Sequence, residues 1–260
     1  MPYQSVRQYA VLLTIFVKAV KLPQGGEVMR LILLRLEGPM QSWGERSKWD
    51  DRDTALFPTK SGIIGLIACC AGYERGDERI TQLHQQLRIS VRGDSMGKLD
   101  VDYHTVSSPK MMTADGKTKD RTIVSHRQYL ENASFLVAIS SDDGKVLDEV
   151  SEVLQNPVWT PYLGRKSCVP TVPIFREDTE VYDDAEDAFS KYPLSGTIEL
   201  SWSDKRTKRR IPAEIEDSNG QFGRTDTLID AQNRDFAVRK VRRVSFARED
   251  IENVSFSAQT

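Results

Sequence analysis

The sequence predicts an α+β fold, because apolar strands alternate with apolar or amphipathic helices along the first two thirds of the chain. Three observations predict it: a buried-strand pattern over residues 30–36, an apolar helix over residues 61–71, and a polar interval over residues 93–120. Apolar alternation then resumes at residues 134–139. Strand, helix, strand, interval, strand, helix and strand is the order of a ferredoxin-like fold with an inserted hairpin.

The two helices of the first half have local start and stop signals. The first opens on Thr59 or Ser61, carries an apolar run and closes at Gly72. The second covers residues 80–87 and leads directly into a strand over residues 88–91. Both helices are therefore expected to pack against the strands that flank them.

The polar interval and the element that follows it complete the predicted core. Gly97 and the pair Asp115-Gly116 are turn signals within a lysine-bearing stretch, which predicts a β-hairpin that leaves the core. Further on, the Asp142-Asp143-Gly144 turn precedes an amphipathic helix over residues 145–155.

The last third of the chain is less regular. Seven acidic residues between 177 and 187 would repel phosphate and predict a solvated face. A strand over residues 197–202 precedes a basic cluster over residues 205–210, and residues 216–224 predict a loop. We expect a core over residues 29–175 with the insertion at about 92–128, and a β-rich C-terminal region over residues 176–260.

Composition limits the class of protein. The 260 residues are 39% hydrophobic and 28% charged, and no apolar run approaches the roughly 20 residues that span a bilayer. The net charge of −2 is near neutral, so any nucleic-acid surface must be local. The three cysteines, Cys69, Cys70 and Cys168, give no CxxC metal pair and no even disulfide framework, so we expect a reducing cytoplasm.

The first 28 residues require a separate interpretation. Residues 9–20 are apolar but interrupted by Lys18, and no small-residue cleavage site follows, so a secretory signal does not fit. Back-translation of Gly25-Gly26-Glu27 allows a ribosome-binding sequence shortly before the codon of Met29. We expect translation to begin at Met29, so that residues 1–28 form an extension that is not made.

Four motifs occur in a fixed order. They are Gly38-Pro39-Met40-Gln41-Ser42-Trp43-Gly44 with Phe57-Pro58-Thr59-Lys60-Ser61-Gly62 behind it, Asp102-Tyr103-His104-Thr105, Ser125-His126-Arg127-Gln128-Tyr129-Leu130, and Thr160-Pro161-Tyr162-Leu163-Gly164-Arg165-Lys166-Ser167-Cys168. In this order the chain resembles the CasD-type subunits of the type I-E CRISPR effector complex, Cascade, a family of the RAMP superfamily. The resemblance covers about residues 29–244.

The resemblance implies a fold and a function. It implies an RRM-like, ferredoxin-like core whose insertion is the family's thumb, and a non-catalytic scaffold that holds the 5′ repeat-derived handle of a CRISPR RNA without a cofactor or metal. The implied partners are the repeated backbone subunit, the large subunit and, through the complex, target DNA. Two alternatives stay open: a metal-independent endoribonuclease that processes the precursor RNA, and a purely protein-binding assembly factor.

Each candidate site residue has a functional and a structural interpretation. The free N–H groups at the start of the helix at Lys60 and Ser61 can hold a phosphate or belong to an ordinary cap, since the glycine pattern of a nucleotide-binding loop is absent. Gln41 and Trp43 can bind unstacked bases, or Trp43 can pack under its loop.

The histidines and basic residues admit the same two interpretations. His104 and His126 could form a ribonuclease site, whereas His84 on a polar helix face is expected to be solvated. The basic residues next to aromatic ones fit a single strand of RNA. The full predicted RNA-binding set is Gln41, Ser42, Trp43, Arg52, Lys60, Ser61, Tyr103, His104, Lys110, Arg127, Tyr162, Gly164, Arg165 and Lys166, with no catalytic or metal-binding residue.

Overall fold

A computed structural model describes residues 30–47, 50–107, 111–112, 116–119, 122–176, 182–195, 210–230 and 232–257. The predicted N-terminal extension, Lys110, the strand at residues 197–202 and residues 205–209 of the basic cluster lie outside these ranges. The described part is a mixed α/β structure, as predicted, and none of its helices is long and apolar enough to cross a membrane.

The strands and helices follow the chain in a simple order. The strands are β1 (Leu31–Gln41), β2 (Asp51–Arg52), β3 (Arg88–Ser95), β4 (Lys98–Val106), β5 (Met111–Met112), β6 (Thr118–Lys119), β7 (Ile123–Ser140), β8 (Phe175–Arg176), β9 (Arg210–Glu216), β10 (Phe222–Asp230) and β11 (Asp235–Ala247). The helices are α1 (Lys60–Ala71), α2 (Glu78–Gln86), α3 (Gly144–Gln155), α4 (Ala185–Lys191) and α5 (Arg248–Ser257).

One sheet organises the molecule. Within the described ranges its strands run in the order β10-β11-β9-β3-β7-β1-β8, and all of these neighbours are antiparallel. The short strand β2 adds to β7 in parallel, and β4 pairs with the first half of β7 outside the main path. The C-terminal strands β9, β11 and β10 therefore extend the sheet that β1, β3 and β7 begin.

Strand β7 belongs to two structures at once. Its second half lies between β1 and β3 in the main sheet, where Leu136 pairs with Arg35 on one side and Arg92 on the other. Its first half pairs with β4 along the whole length of that strand, from Val106 with Ile123 to Lys98 with Glu131. We call β4 and residues 123–131 of β7 the ribbon.

Helix α1 forms where the sequence predicts it. Thr59 caps its start by accepting a hydrogen bond from the Gly62 N–H, and Gly72 ends it in the left-handed conformation with φ of 72°. Ile63, Ile64 and Ile67 are buried against the sheet in the main hydrophobic core. Helix α3 packs on the same face through Leu147, Val150 and Leu154.

Strand β1 is longer than predicted. The buried-strand pattern predicted a strand over residues 30–36, but pairing with β7 continues from Gly38 to Gln41. The ladder skips Pro39, which has no N–H to donate, and resumes at Met40 opposite Glu131. The Gly38-Pro39 motif is therefore part of the sheet and fixes Gln41 inside it.

The other face of the sheet holds a smaller core and a buried ionic group. Leu33, Leu136 and Phe189 form part of the apolar contact between the sheet and α4. Beside them the Asp94 carboxylate accepts hydrogen bonds from Arg35 and Arg92. Burial alone would raise the pKa of Asp94, but the two guanidiniums outweigh it and hold the pKa below its usual range.

Candidate nucleic-acid interface

Two residues predicted to bind bases are interior. Trp43 is 1% exposed and Gln41 is 0% exposed. The indole Nε1–H of Trp43 donates to Gln41 Oε1 at 3.1 Å, and the Gln41 amide donates to the carbonyl oxygens of Leu36 and Ala133. In this conformation neither side chain presents a free surface to RNA, because the end of β1 and helix α1 cover both.

The start of α1 is also closed to phosphate. The Lys60 N–H donates to Asp226 Oδ2 at 2.8 Å, and the side chain of Lys60 is 4% exposed and pairs with Glu216 at 2.8 Å. A carboxylate at this helix start repels a phosphate. It also accepts a hydrogen bond from one of the N–H groups that would otherwise bind the phosphate. Lys60 is therefore a structural residue, whereas Ser61 beside it is only half-buried.

Lys60 belongs to an interior ion cluster, which we define as Lys60, Glu216, Asp226 and Arg239. Arg239 Nε lies 2.7 Å from Asp226 Oδ1, and Arg239 Nη1 lies 3.5 Å from Glu216 Oε2. Burial alone would raise the pKa of Asp226, but the hydrogen bonds and charge of Arg239 hold it below its usual range. The cluster joins α1 to the C-terminal strands.

His84 lies against this cluster. It is buried, whereas the sequence predicted a solvated side chain. It is 2% exposed, and its Nδ1 accepts the N–H of Leu228 on β10 at 3.3 Å. Burial, followed by the charge of Lys60, lowers the pKa of His84 to about 4. The imidazole is therefore neutral at physiological pH.

A second group of predicted residues does come together on the surface. Strand pairing places Arg52 beside Arg127 and Asp102 beside Arg127, so β2, β7 and β4 present these side chains in one row. On the opposite face of the ribbon, Tyr103 is 62% exposed and its ring centroid lies 5.5 Å from that of His126. The middle of the ribbon thus carries two arginines and a carboxylate on one face and aromatic groups on the other.

The turn after Tyr162 packs onto the arginine face of the ribbon. The guanidinium of Arg165 lies 4.5 Å above the centroid of the Tyr129 ring, and its Nη2 donates to the Arg52 carbonyl at 2.9 Å. Lys166 next to it is exposed, and Tyr162 is half-buried. We call Arg52, Arg127, Arg165 and Lys166 the basic surface.

Gly164 makes this packing geometrically possible. Its φ is +87°, in the region that favours glycine, and an added Cβ would overlap the carbonyl oxygen of Ser42. Ser42 is itself 3% exposed and donates its hydroxyl to the Gln128 carbonyl at 3.0 Å. Gly164 and Ser42 therefore determine the shape of the backbone beneath the basic surface.

The two histidines of the ribonuclease hypothesis point away from each other. Tyr103 is opposite His126 and His104 is opposite Ser125, so the two imidazoles lie on opposite faces of the ribbon. His104 Nδ1 lies 3.9 Å from Asp102 Oδ2, beyond hydrogen-bonding distance. This geometry does not let one histidine act as base and the other as acid on the same phosphate.

A cleft of about 760 Å³ adjoins the basic surface. It lies between residues 42–47, the start of α1, the turn before α2 and the β10–β11 hairpin. Of the predicted residues, Ser42, Trp43, Ser61 and Gly164 line it. Its three arginines, Arg46, Arg75 and Arg234, were not predicted as site residues, because each stands alone in a short polar loop.

The described residues provide no metal site. Among them, no group of three or more His, Cys, Asp and Glu side chains could hold a metal ion. Cys69 is half-buried and Cys70 and Cys168 are buried, all as free thiols whose pKa values are raised by burial.

Comparison with known proteins gives consistent matches. A family model described as CRISPR-associated protein (Cas_Cas5) matches residues 31–254. The CRISPR system Cascade subunit CasD of Escherichia coli (strain K12) is 35% identical over 178 residues, 64% of this chain and 79% of that protein. A crystal structure of a Cas protein matches with a TM-score of 0.66 and 31% identity, covering 85% of this chain and 97% of its own. A chain of a CRISPR RNA-guided surveillance complex matches with a TM-score of 0.66 and 30% identity over 88% of this chain and 98% of its own.

Proposed function

The chain belongs to the Cas5 family of CRISPR-associated proteins, and from this membership we propose that it is a non-catalytic RNA-binding subunit of a type I-E Cascade complex. It holds the 5′ repeat-derived handle of the CRISPR RNA, in the cytoplasm. The observation that carries the proposal is the 35% identity to a Cascade subunit over 79% of that subunit's length.

The fold supports this assignment. The order β8-β1-β7-β3, with every pair antiparallel, is what a ferredoxin-like core produces when two helices, here α1 and α3, cross one face. The ribbon leaves that core between β3 and the second half of β7, which fits an inserted thumb over about residues 92–128.

The basic surface is the part of the molecule that best suits an RNA backbone. Arg52, Arg127 and Lys166 are presented by rigid strand pairing and by a turn that Arg165 fastens to Tyr129 and Arg52. The ring of Tyr129 lies beneath the guanidinium of Arg165, whereas Tyr103 is exposed on the opposite face of the ribbon. Cationic groups beside an aromatic face hold single strands through phosphate contacts and stacking.

The ribbon also offers surface to protein partners. Leu99 and Val101 are 49% and 50% exposed and lie on the same face as Tyr103. Contiguous exposed apolar groups mark interaction sites. We assign this face of the ribbon to the neighbouring backbone subunit of the complex. We assign the large subunit to the surface around the bound handle.

The endoribonuclease alternative receives no support from the ribbon geometry, because its two histidines face opposite sides. A purely protein-binding role would leave the basic surface without a function. Purified chain should therefore leave precursor repeat RNA uncut. Cleavage at one repeat position that is abolished in both His104→Ala and His126→Ala would overturn the non-catalytic assignment.

The direct test is recovery of RNA from the assembled complex. The chain is co-expressed with the neighbouring operon genes, the complex is purified, and the 5′ ends of the bound RNA are sequenced. We expect 5′ ends at one fixed repeat position. Omission of this chain should abolish retention of that end, and unchanged RNA without it would contradict the proposal.

A salt series tests the basic surface itself. Lys166→Ala should weaken binding of handle RNA independently of base identity, and it should lower the salt slope by about 0.7 for each phosphate that is no longer bound. Lys145→Ala is the matched control, since Lys145 is an exposed lysine at the start of α3. Equal slopes for both variants and the parent would remove Lys166 from the RNA surface.

A further inference from the structure

The cleft beside the basic surface has an unusual electrostatic character for a nearly neutral chain. Its ionised lining groups are Arg46, Arg75, Arg234 and the carboxylate of Glu45. Glu45 is turned toward Arg224 on β10, with 3.5 Å between Glu45 Oε1 and Arg224 Nε. His84 at the cleft wall is neutral. The cleft is therefore cationic.

The three arginines differ from several other exposed arginines of the molecule. Arg79 pairs with Asp77, Arg88 with Asp142 and Arg242 with Glu186. By contrast, no carboxylate among the described residues pairs with Arg46, Arg75 or Arg234. Unneutralised guanidiniums around one concave surface indicate an anionic ligand.

The shape of the cleft indicates the rest of that ligand. Ile80, Leu228 and Phe236 supply apolar surface, while Gly62 and Gly65 keep the side formed by α1 free of bulky groups. A Cβ at Gly65 would meet no atom within 4 Å. The volume lies within the roughly 300–1,000 Å³ of sites that enclose small molecules or single groups of larger ones.

The cleft is continuous with the surface assigned to RNA. Ser42 and Gly164 line it, and Gly164 immediately precedes Arg165 and Lys166 in the turn. An RNA strand bound on the basic surface therefore lies next to the cleft, because the lining residue Gly164 is the immediate neighbour of Arg165. Unstacked nucleotides are bound by aromatic rings or guanidinium planes with cationic groups at the phosphate.

We propose that this cleft takes one unstacked nucleotide of the bound RNA, with its base against Ile80, Leu228 and Phe236 and its phosphates held by Arg46, Arg75 and Arg234. The inference rests on the proposed function, because it requires RNA on the neighbouring basic surface. It adds a site at which a single nucleotide leaves the stack and is enclosed by the C-terminal hairpin.

The test is chemical probing of RNA in the assembled complex at single-nucleotide resolution. Two independent changes are made: Arg75→Ala with Arg234→Ala removes charge, and Gly65→Leu adds bulk to the cleft from α1, at a position where a Cβ meets no atom within 4 Å. Arg248→Ala is the control, since Arg248 lies on α5 and pairs with Glu252. Thermal unfolding of each complex shows whether the variants fold.

We expect one handle nucleotide, protected in the parent, to become about fivefold or more reactive in both cleft variants, because its base is no longer held against the cleft wall. Its neighbours should stay protected and the RNA should remain bound at low salt. Parent-like reactivity at every nucleotide in both folded variants would overturn this inference while leaving the proposed function intact. Loss of a protein subunit with unchanged RNA reactivity would assign the cleft to an acidic protein segment instead. A parent complex without RNA would overturn the proposed function as well.

Discussion

The interior ion cluster and the basic surface both contain lysine and arginine, but the cluster also contains the carboxylates that neutralise them. In the cluster, Lys60 and Arg239 are 4% and 6% exposed and every charge has a partner within the chain. On the basic surface, Lys166 is exposed and Arg165 is fixed by a ring and a carbonyl, so its charge is not neutralised. Whether a cation is structural or available to a ligand therefore depends on whether the chain supplies a carboxylate for it, and not on the residue type.

The largest expected effect breaks the cluster at Asp226. Asp226→Ala leaves Arg239 buried without its carboxylate and removes the acceptor of the Lys60 N–H. We expect the free energy of unfolding to fall by about 3–5 kcal/mol, because removing one partner strands the other charge in the interior. Urea unfolding of the purified chain measures it.

The control for Asp226 is an exposed pair. Asp148→Asn removes the partner of Arg30, and both side chains of that pair are more than half exposed. The expected change is below about 1 kcal/mol. Equal effects of the two substitutions would show that the cluster does not act as a buried unit.

The second prediction concerns Trp43, whose indole fills space between β1 and α1. A Cβ added at Gly62 would lie 2.7 Å from its ring. Trp43→Ala should cost about 3–5 kcal/mol of stability through the cavity it leaves. Trp43→Phe should cost less, since packing is largely kept. Parent stability in Trp43→Ala with abolished RNA binding would instead identify Trp43 as an exposed stacking platform.

The third prediction separates backbone strain from close contact. Gly164 and Gly76 have nearly equal φ values of +87° and +86°, but a Cβ at Gly76 meets nothing within 4 Å. Gly76→Ala should cost about 1–2 kcal/mol from conformation alone. Gly164→Ala should cost about 1–3 kcal/mol more, because the methyl group displaces Ser42. Thermal unfolding of the two variants checks this, and equal costs would contradict the contact.

The fourth prediction concerns the pH dependence of stability. The pKa of His84 is about 4 in the folded chain and about 6.5 in an unfolded one, so between these values only the unfolded chain binds the proton. Stability should therefore decrease by roughly 2 kcal/mol from pH 7 to pH 5 through this residue. Asp226 and Asp94, with lowered pKa values, lose their contribution only below about pH 4.

The comparison for His84 is a neutral variant. His84→Gln retains an acceptor for the Leu228 N–H but does not titrate, so its stability between pH 7 and pH 5 should decrease less than that of the parent. Identical pH profiles of the two proteins would show that His84 is accessible to protons in the folded state.

Local signals predicted local structure well. The limits of α1 followed from its cap and from Gly72, and the turn at residues 142–144 marked the start of α3. The α+β class followed from the alternation of these elements. Of the two basic side chains in the turn after Tyr162, Lys166 is exposed and Arg165 is half-buried.

Accessibility could not be predicted for residues whose environment comes from distant strands. His84 is covered by Leu228, which lies 144 positions away, and Lys60 pairs with Glu216 across 156 positions. Gln41 and Trp43 are buried because β1 continues past Pro39 to pair with β7. No pattern within a short window contains that information, so motif residues of the interior and of the surface look alike.

The addition of β9 to β3 has a consequence for biosynthesis. The Ile89 N–H donates a hydrogen bond to the side chain of Glu216, which lies 127 positions later in the chain. At a synthesis rate of about 5–20 residues per second, the ribosome needs roughly 6–25 s to make that partner. During this time the outer edge of β3 is an unpaired strand edge, which invites pairing with other chains. Nascent chains of this protein should therefore need protection on the ribosome until the C-terminal strands emerge.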